Sequence, residues 1–240
     1  MSKSAVITGA GRGIGKAIAE KFRSENYIVH ALDVTANTDV ILCDVTNSED
    51  VQSVADQIGP VDVLVNNAGV WSFNSIEDTS EEEFNATIAV NLKGPFNCIR
   101  SFGKEMLDKG SGSIVNIVSI AAKHANPGVG MYGPSKAALV SLTEQVAIEW
   151  GPSGVRCNGI GPGLVPTPGT GDFYDNESVR KLRSSTVPLR RLATPEDIAN
   201  ATFFLCLESS GYINGQIIYV DGGLSKSLMS LLPRPEDLSD

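Results

Sequence analysis

Short apolar runs alternate along the chain with stretches in which apolar residues recur every three or four positions. That alternation predicts a parallel sheet covered by helices on both faces. The strand candidates are Ser4–Thr8, Tyr27–Asp33, Val40–Cys43, Val61–Asn66, Gly112–Ser119, Gly154–Ile160 and Gln216–Val220. Several are apolar on successive residues, as strands buried on both faces are. Ile14, Ile18 and Phe22 recur every four residues and mark the buried stripe of a first helix. Thr79-Ser-Glu-Glu-Glu83 opens a long helix with hydroxyls and acids at its positive end. Thr194 is placed to cap another, with Pro195 in its first position. Only ten residues separate Asp33 from Asp44. A crossover with its helix takes at least about 10–12, so this link is predicted to lack a full helix.

A length of 240 residues suits one domain, 1–240, with 224–240 as a tail behind the last strand. In that tail Leu228–Leu232 is apolar, while Pro233, Pro235 and the acids beyond read as an exposed end. The net charge of −9 would repel a phosphate backbone, which argues against a nucleic-acid partner. Cys43, Cys98, Cys157 and Cys206 are dispersed without histidine neighbours, so neither a zinc site nor a disulfide framework is indicated. Nothing approaches the length of a membrane span, and the first residues do not form a signal peptide. The expectation is a soluble cytoplasmic protein with a small-molecule substrate, no metal and no membrane partner.

Chemistry enters at two places. Gly9, Gly13 and Gly15 follow the first strand and open the first helix, where a glycine turn lets backbone amides and the helix N-terminus approach a pyrophosphate. Their spacing differs from the common G-x-G-x-x-G. Asp33 ends the second strand, where a carboxylate accepts hydrogen bonds from both adenosine ribose hydroxyls and repels a 2′-phosphate. That favours NAD over NADP. Arg12 points the other way, as a guanidinium able to hold that phosphate, or is a solvated loop cation. Further on, Tyr132 and Lys136 stand four apart and share a helix face if Tyr132 begins that helix. A tyrosine titrates near 10, and making it a base at neutral pH takes about 4 kcal/mol of differential stabilisation, within reach of two close cations. Ser119 could hydrogen-bond a substrate oxygen. Spacing alone favours a plainer reading, a surface tyrosine and a solvated lysine.

Taken in order, these segments resemble the short-chain dehydrogenase/reductase family over residues 4–223. Thr8-Gly-Ala-Gly-Arg-Gly-Ile-Gly15, including Arg12 and Ile14, looks like its cofactor turn. Asp44-Val45 looks like its adenine contact, and Asn66-Asn-Ala-Gly69, with Ala68, like the segment closing the fourth strand beside the cofactor. Asn91 matches the asparagine that kinks the long helix and orders a water leading to the lysine. Ser119, Tyr132 and Lys136 match the remaining catalytic members. Pro162-Gly163-Leu-Val165-Pro-Thr167 is similar to the segment that holds the nicotinamide carboxamide, and Val220-Asp-Gly-Gly223 to the end of the seventh strand. The resemblance implies a Rossmann-like, doubly wound sheet of seven parallel strands and a homotetramer built on two long helices and the last strand. It implies that Tyr132 exchanges the hydroxyl proton, Lys136 binds the nicotinamide ribose and acidifies the tyrosine, Ser119 orients the carbinol and Asn91 maintains the proton path. The short Asp33–Asp44 link and Ser153–Asn158 resemble dehydrogenases of dihydroxylated cyclohexadiene carboxylates, but the segment after Gly163 does not. Pro188–Gly223 is similar to 3-oxoacyl thioester reductases.

The leading expectation is an NAD-dependent dehydrogenase of a small or cyclic secondary alcohol. The alternatives are an NADPH-dependent 3-oxoacyl-thioester reductase acting on acyl-carrier protein and a non-catalytic NAD-sensing regulator. Trp71 and Phe73 follow the fourth strand and are placed to line a substrate pocket or to cover the core. His124 lies on the substrate-side loop, where a role in binding and no role at all both remain open. Gly169–Val187 reads as a mobile substrate loop with a short helix near Asn176–Ser184. Its Arg180, Lys181 and Arg183 are most simply a solvated face, or else meet an anionic substrate or carrier protein.

Overall fold

The computed structural model describes residues 2–36 and 38–232. Its strands are Ser4–Thr8 (β1), Ile28–Asp33 (β2), Ile41–Leu42 (β3), Val63–Asn66 (β4), Gly112–Ile117 (β5), Val155–Pro162 (β6) and Ile217–Val220 (β7). They form one parallel sheet in the order β3-β2-β1-β4-β5-β6-β7. The order reverses direction between β1 and β4, the crevice where open α/β sheets bind ligands.

Alternate residues of the central strands feed two cores. Ala5, Ile7, Val63, Val65, Val115 and Ile117 point to one face; Val6, Leu64 and Ile114 point to the other. The first face is covered by Gly13–Ser24 (α1) and Pro195–Cys206 (α7), where Phe22, Tyr27 and Phe203 meet edge to face at 5.0–5.8 Å. Ile18 and Phe22 are fully buried and Ile14 packs at the margin, so the four-residue stripe marks the inner side of α1. The second face is covered by Ser48–Ile58 (α2), Gly94–Lys109 (α4) and Tyr132–Trp150 (α5). All four cysteines are buried and free. No helix among the described residues is long and apolar enough to cross a membrane.

Between Asp33 and Ile41 the described residues hold no helix, as the residue count predicts. The long helix opened by Thr79–Glu83 changes its winding around Asn91, where the resemblance implies a kink. Glu81–Ile88 (α3) starts on a capping box between Ser80 and Glu83. It passes through a π-turn, Ala89–Lys93, into α4. Two features favour the break: Pro95 has no N–H to give, and a Cβ on Gly94 would lie 2.8 Å from Val45 Cγ2. Glu177–Thr186 (α6) is capped by Asn176. Thr194 caps α7 and shares a capping box with Asp197, with Pro195 in the first turn. Behind β7, Leu224–Lys226 and Leu228–Leu231 are short 3₁₀ turns. The end expected to be exposed, at Pro233 and Pro235, lies outside the described residues.

Candidate active site

A cleft of about 880 Å³ follows the carboxyl ends of the strands across the sheet. At one end stand Asp33, Asp44 and Val45; at the centre the β1–α1 turn and Ala68-Gly69; beyond them Ser119, Tyr132 and Lys136. Pro162, at the end of β6, and Gly163, Val165 and Thr167 beyond it also line the cleft.

The turn is tight because glycines stand where a side chain would be strained or would collide. Gly9 and Gly13 have φ of 62° and 57°, values that favour glycine. A Cβ on Gly15 would lie 2.1 Å from Gly9 O, so Gly15 allows the helix to begin directly beneath the turn without itself facing the cleft. The Asp33 carboxylate accepts from Gly11 N at 2.9 Å and Thr35 N at 3.0 Å. Both bonds fix its orientation at the cleft and leave it lone pairs for a ribose. Arg12 also lines the cleft, on the same turn. Asp44 is bonded to Thr46 N and Oγ1. Glycine-turn amides at a helix start, an oriented carboxylate a strand away and a cleft of this volume fit an elongated dinucleotide.

The chain leaves β5 extended. Ser119, with φ of −167°, caps a 3₁₀ turn by accepting from Ala121 N at 3.1 Å. Tyr132 is the first residue of α5, so Lys136 lies one turn along on the same face. The Lys136 amine is 5.9 Å from the centre of the Tyr132 ring and donates to Ile117 O at 2.8 Å. Only 4% of Lys136 is exposed, and burial pushes its pKa down to about 8. Burial raises the Tyr132 pKa, opposed by a hydrogen bond with Ser119. The sequence argument expects neighbouring cations to lower the tyrosine. The structure has the opposite direction: desolvation of the phenol is the largest cause and raises its pKa. Trp71 packs edge to face on the Tyr132 ring at 6.2 Å.

Gly15, Asn66 and Asn91, three of the expected site residues, do not line the cleft. Asn66 turns inward and donates to Asn116 Oδ1 at 2.8 Å. Its neighbour Asn67 faces the cleft instead, donating from Nδ2 to Thr8 O and Gly9 O, both at 3.0 Å. Thr8 Oγ1 in turn accepts from Asn67 N and Ala68 N. Strand alternation was the available signal: two consecutive asparagines at a strand end cannot face the same way. Asn91 is fully buried. It donates to Val70 O and Ser135 Oγ and accepts from Val70 N, at 2.8–2.9 Å, and so ties the loop after β4 to α5. A Cβ on Gly69 would lie 3.4 Å from both Asn91 Oδ1 and Lys136 Nζ, so this glycine lets the two side chains approach.

Trp71, Phe73, His124, Tyr174 and Arg183 also line the cleft; Arg180 and Lys181 do not.

Residues 9–225 match the family model described as enoyl-(acyl carrier protein) reductase. The chain is 36% identical to 3-oxoacyl-[acyl-carrier-protein] reductase of Staphylococcus epidermidis, over 93% of this chain and 99% of that protein. It is also 36% identical to 2-(R)-hydroxypropyl-CoM dehydrogenase of Xanthobacter autotrophicus, over 92% and 98%. A solved structure of a protein described as an NAD(P)-dependent gluconate 5-dehydrogenase from Beutenbergia cavernae, with bound NADP, superposes with a TM-score of 0.87. The two are 34% identical over 94% of this chain and 97% of that one.

Proposed function

The chain belongs to the short-chain dehydrogenase/reductase family, and from that premise we propose that it is an NAD-dependent dehydrogenase of a small secondary alcohol. As a member it is an NAD(P)-dependent oxidoreductase acting on alcohol or ketone groups. The finer reading rests above all on one observation: Ser119, Tyr132 and Lys136 converge at the end of the cleft that the glycine turn opens.

Bound NAD supplies a hydride acceptor and a positive ring. In this reading the Tyr132 Oη takes the hydroxyl proton of the alcohol. Ser119, close enough to that phenol to lower its pKa, holds the substrate oxygen in line and stabilises the phenolate. Lys136 keeps its ammonium beneath the ring at neutral pH, since its pKa of about 8 lies above 7. Asn91 is a positioning residue: it touches no reacting atom and fixes Val70 and the first turn of α5, from which Tyr132 projects. Trp71 shields the phenol from water.

Asp33 supports NAD. A 2′-phosphate beside its oriented carboxylate would be repelled, and Arg12 on the same turn only partly offsets that. The NADP bound by the gluconate dehydrogenase relative weighs the other way. A second reading, an NADPH-dependent reductase of 3-oxoacyl thioesters, is favoured by the Staphylococcus relative. Exposed Phe96 on α4 and Ile148 on α5 support a homotetramer through those helices, which light scattering would report.

The test is steady-state turnover of a secondary-alcohol panel with NAD and with NADP, followed by absorbance of the reduced nicotinamide. Oxidation with NAD preferred at least ~10-fold in kcat/KM supports the proposal. A preference for NADP with 3-oxoacyl thioesters replaces it with the second reading. No turnover with any pair would leave a dinucleotide-binding regulator.

A further inference from the structure

Trp71 touches two parts of the cleft that come from distant segments. Its indole packs edge to face on the Tyr132 ring, with centroids 6.2 Å apart and planes at 74°. The far edge of the indole meets the chain beyond Thr167. A Cβ on Gly169 would lie 2.8 Å from Trp71 Cη2 and 3.2 Å from Cζ2. Gly169 is not in the left-handed region, so its missing side chain serves the indole and not the backbone. Trp71, Tyr132, Ser119 and Gly169 all line the cleft.

The indole is also held from its own loop. Asn91, fully buried, accepts from Val70 N and donates to Val70 O, so the chain enters Trp71 from a fixed residue. Three residues beyond Trp71, Asn74 O accepts from Gly130 N at 2.8 Å, just before Tyr132. Rings in edge-to-face contact leave no layer for a methyl group between them. The gap between the indole and Gly169 is likewise too narrow for a carbon. Trp71 therefore closes the space beside the phenol, backed by Tyr132 on one side and by the Gly169 backbone on the other.

We infer that Trp71 determines specificity by limiting the shorter of the two carbon arms on the carbinol to a methyl group. This rests on the dehydrogenase reading above, and it makes the substrate class the methyl carbinols. A carbinol whose oxygen reaches Tyr132 Oη stands beside the indole and has two arms to place. The longer arm follows the cleft away from Trp71, and the shorter one stops at the ring. One methylene too many in a fitted apolar pocket costs about 10–200-fold.

The test measures binding, which needs no turnover. 2-Heptanone, 3-heptanone and 4-heptanone share one formula, and their shorter arms are methyl, ethyl and propyl. Each is titrated calorimetrically into the enzyme loaded with NAD or NADP, whichever it binds more tightly, where no reduction can occur. 2-Heptanone should bind at least ~10-fold tighter than 4-heptanone. Trp71→Ala opens the space beside the phenol and should bring the two to within about threefold of each other. Trp71→Leu is a second variant, to be used should the alanine protein melt early; it fills part of the volume and should reduce the preference by at least ~3-fold. A merely structural role for the indole would weaken both ketones alike and leave their ratio unchanged. Equal affinity for the two ketones in the native enzyme, including none for either, overturns the inference, as does a preference that survives in Trp71→Ala and Trp71→Leu. Turnover of 2-butanol by the native enzyme tests the dehydrogenase reading separately.

Discussion

Replacing Lys136 with methionine should change how stability depends on pH, in a direction the burial of the amine dictates. The lysine is 4% exposed and its pKa is pushed down to about 8 from the ordinary 10.5. Below pH 8 it is charged in folded and unfolded chains alike, and the folded state bears the full desolvation penalty. Between 8 and 10.5 the unfolded chain holds the proton and the folded chain does not, so stability rises with pH. Above 10.5 the amine is neutral in both states and the penalty is gone. At 1.36 kcal/mol per pH unit the full effect is ~3 kcal/mol, of which ~2.5 kcal/mol falls between pH 7 and pH 10. Methionine is apolar, of similar length and does not titrate. Loss of the bond to Ile117 O adds an offset that varies little with pH, since a neutral amine still donates. The assay is urea unfolding of both cofactor-free proteins at equal concentration across this range, because association would shift both curves. The stability of the native protein relative to the variant should grow by ~2.5 kcal/mol from pH 7 to pH 10. A difference flat to within about 0.5 kcal/mol would refute the reasoning, because the amine would then be solvated in the fold.

Two further substitutions test the frame around the site. Gly15→Ala would put a Cβ 2.1 Å from Gly9 O and 2.8 Å from Gly9 C, both backbone atoms, so the turn must open. A loss of about 1–3 kcal/mol in thermal or urea unfolding is expected, with NAD binding weakened at least ~10-fold when titrated by Trp71 fluorescence. An alanine protein that binds NAD like its parent would contradict the close approach. Asn91→Leu removes three hydrogen bonds in a fully buried place and deprives Val70 N and O of these side-chain partners. It should cost about 3–4 kcal/mol in urea unfolding, whereas a change under about 1 kcal/mol would show that the tie between the β4 loop and α5 carries little.

Much of the frame is legible in the residues because its causes are local. Strands buried on both faces read as unbroken apolar runs, and Val63–Asn66 or Gly112–Ile117 could be placed to within two residues at either end. Ser80 and Thr194 are capping residues by type, and a ten-residue link is too short for a crossover helix whatever its composition. What the sequence hides depends on contacts between distant segments. The π-turn at Ala89–Lys93 accompanies the close packing of Gly94 on Val45, a contact invisible in the local pattern. Asn66 and Asn67 have the same chemistry, and strand alternation says that they face opposite ways without saying which of them faces the cleft. Arg180 and Arg183 are alike in type, and only the fold decides that Arg183 lines the cleft beside Tyr174 while Arg180 does not. The state of Tyr132 is the sharpest case. Its neighbours by number suggest an acidified phenol, while the burial that raises its pKa exists only in the folded chain, where Trp71 packs on the ring.

The central claim, that the Tyr132 hydroxyl moves the substrate proton, is tested most directly by pre-steady-state formation of reduced nicotinamide with Tyr132→Phe. The phenylalanine keeps the ring packed against Trp71 and removes one oxygen. The account predicts that the variant still binds NAD in a fluorescence titration but forms the reduced cofactor ~10²–10⁴-fold more slowly with the same alcohol. A variant that binds NAD and reduces it within about tenfold of the native rate would contradict the account.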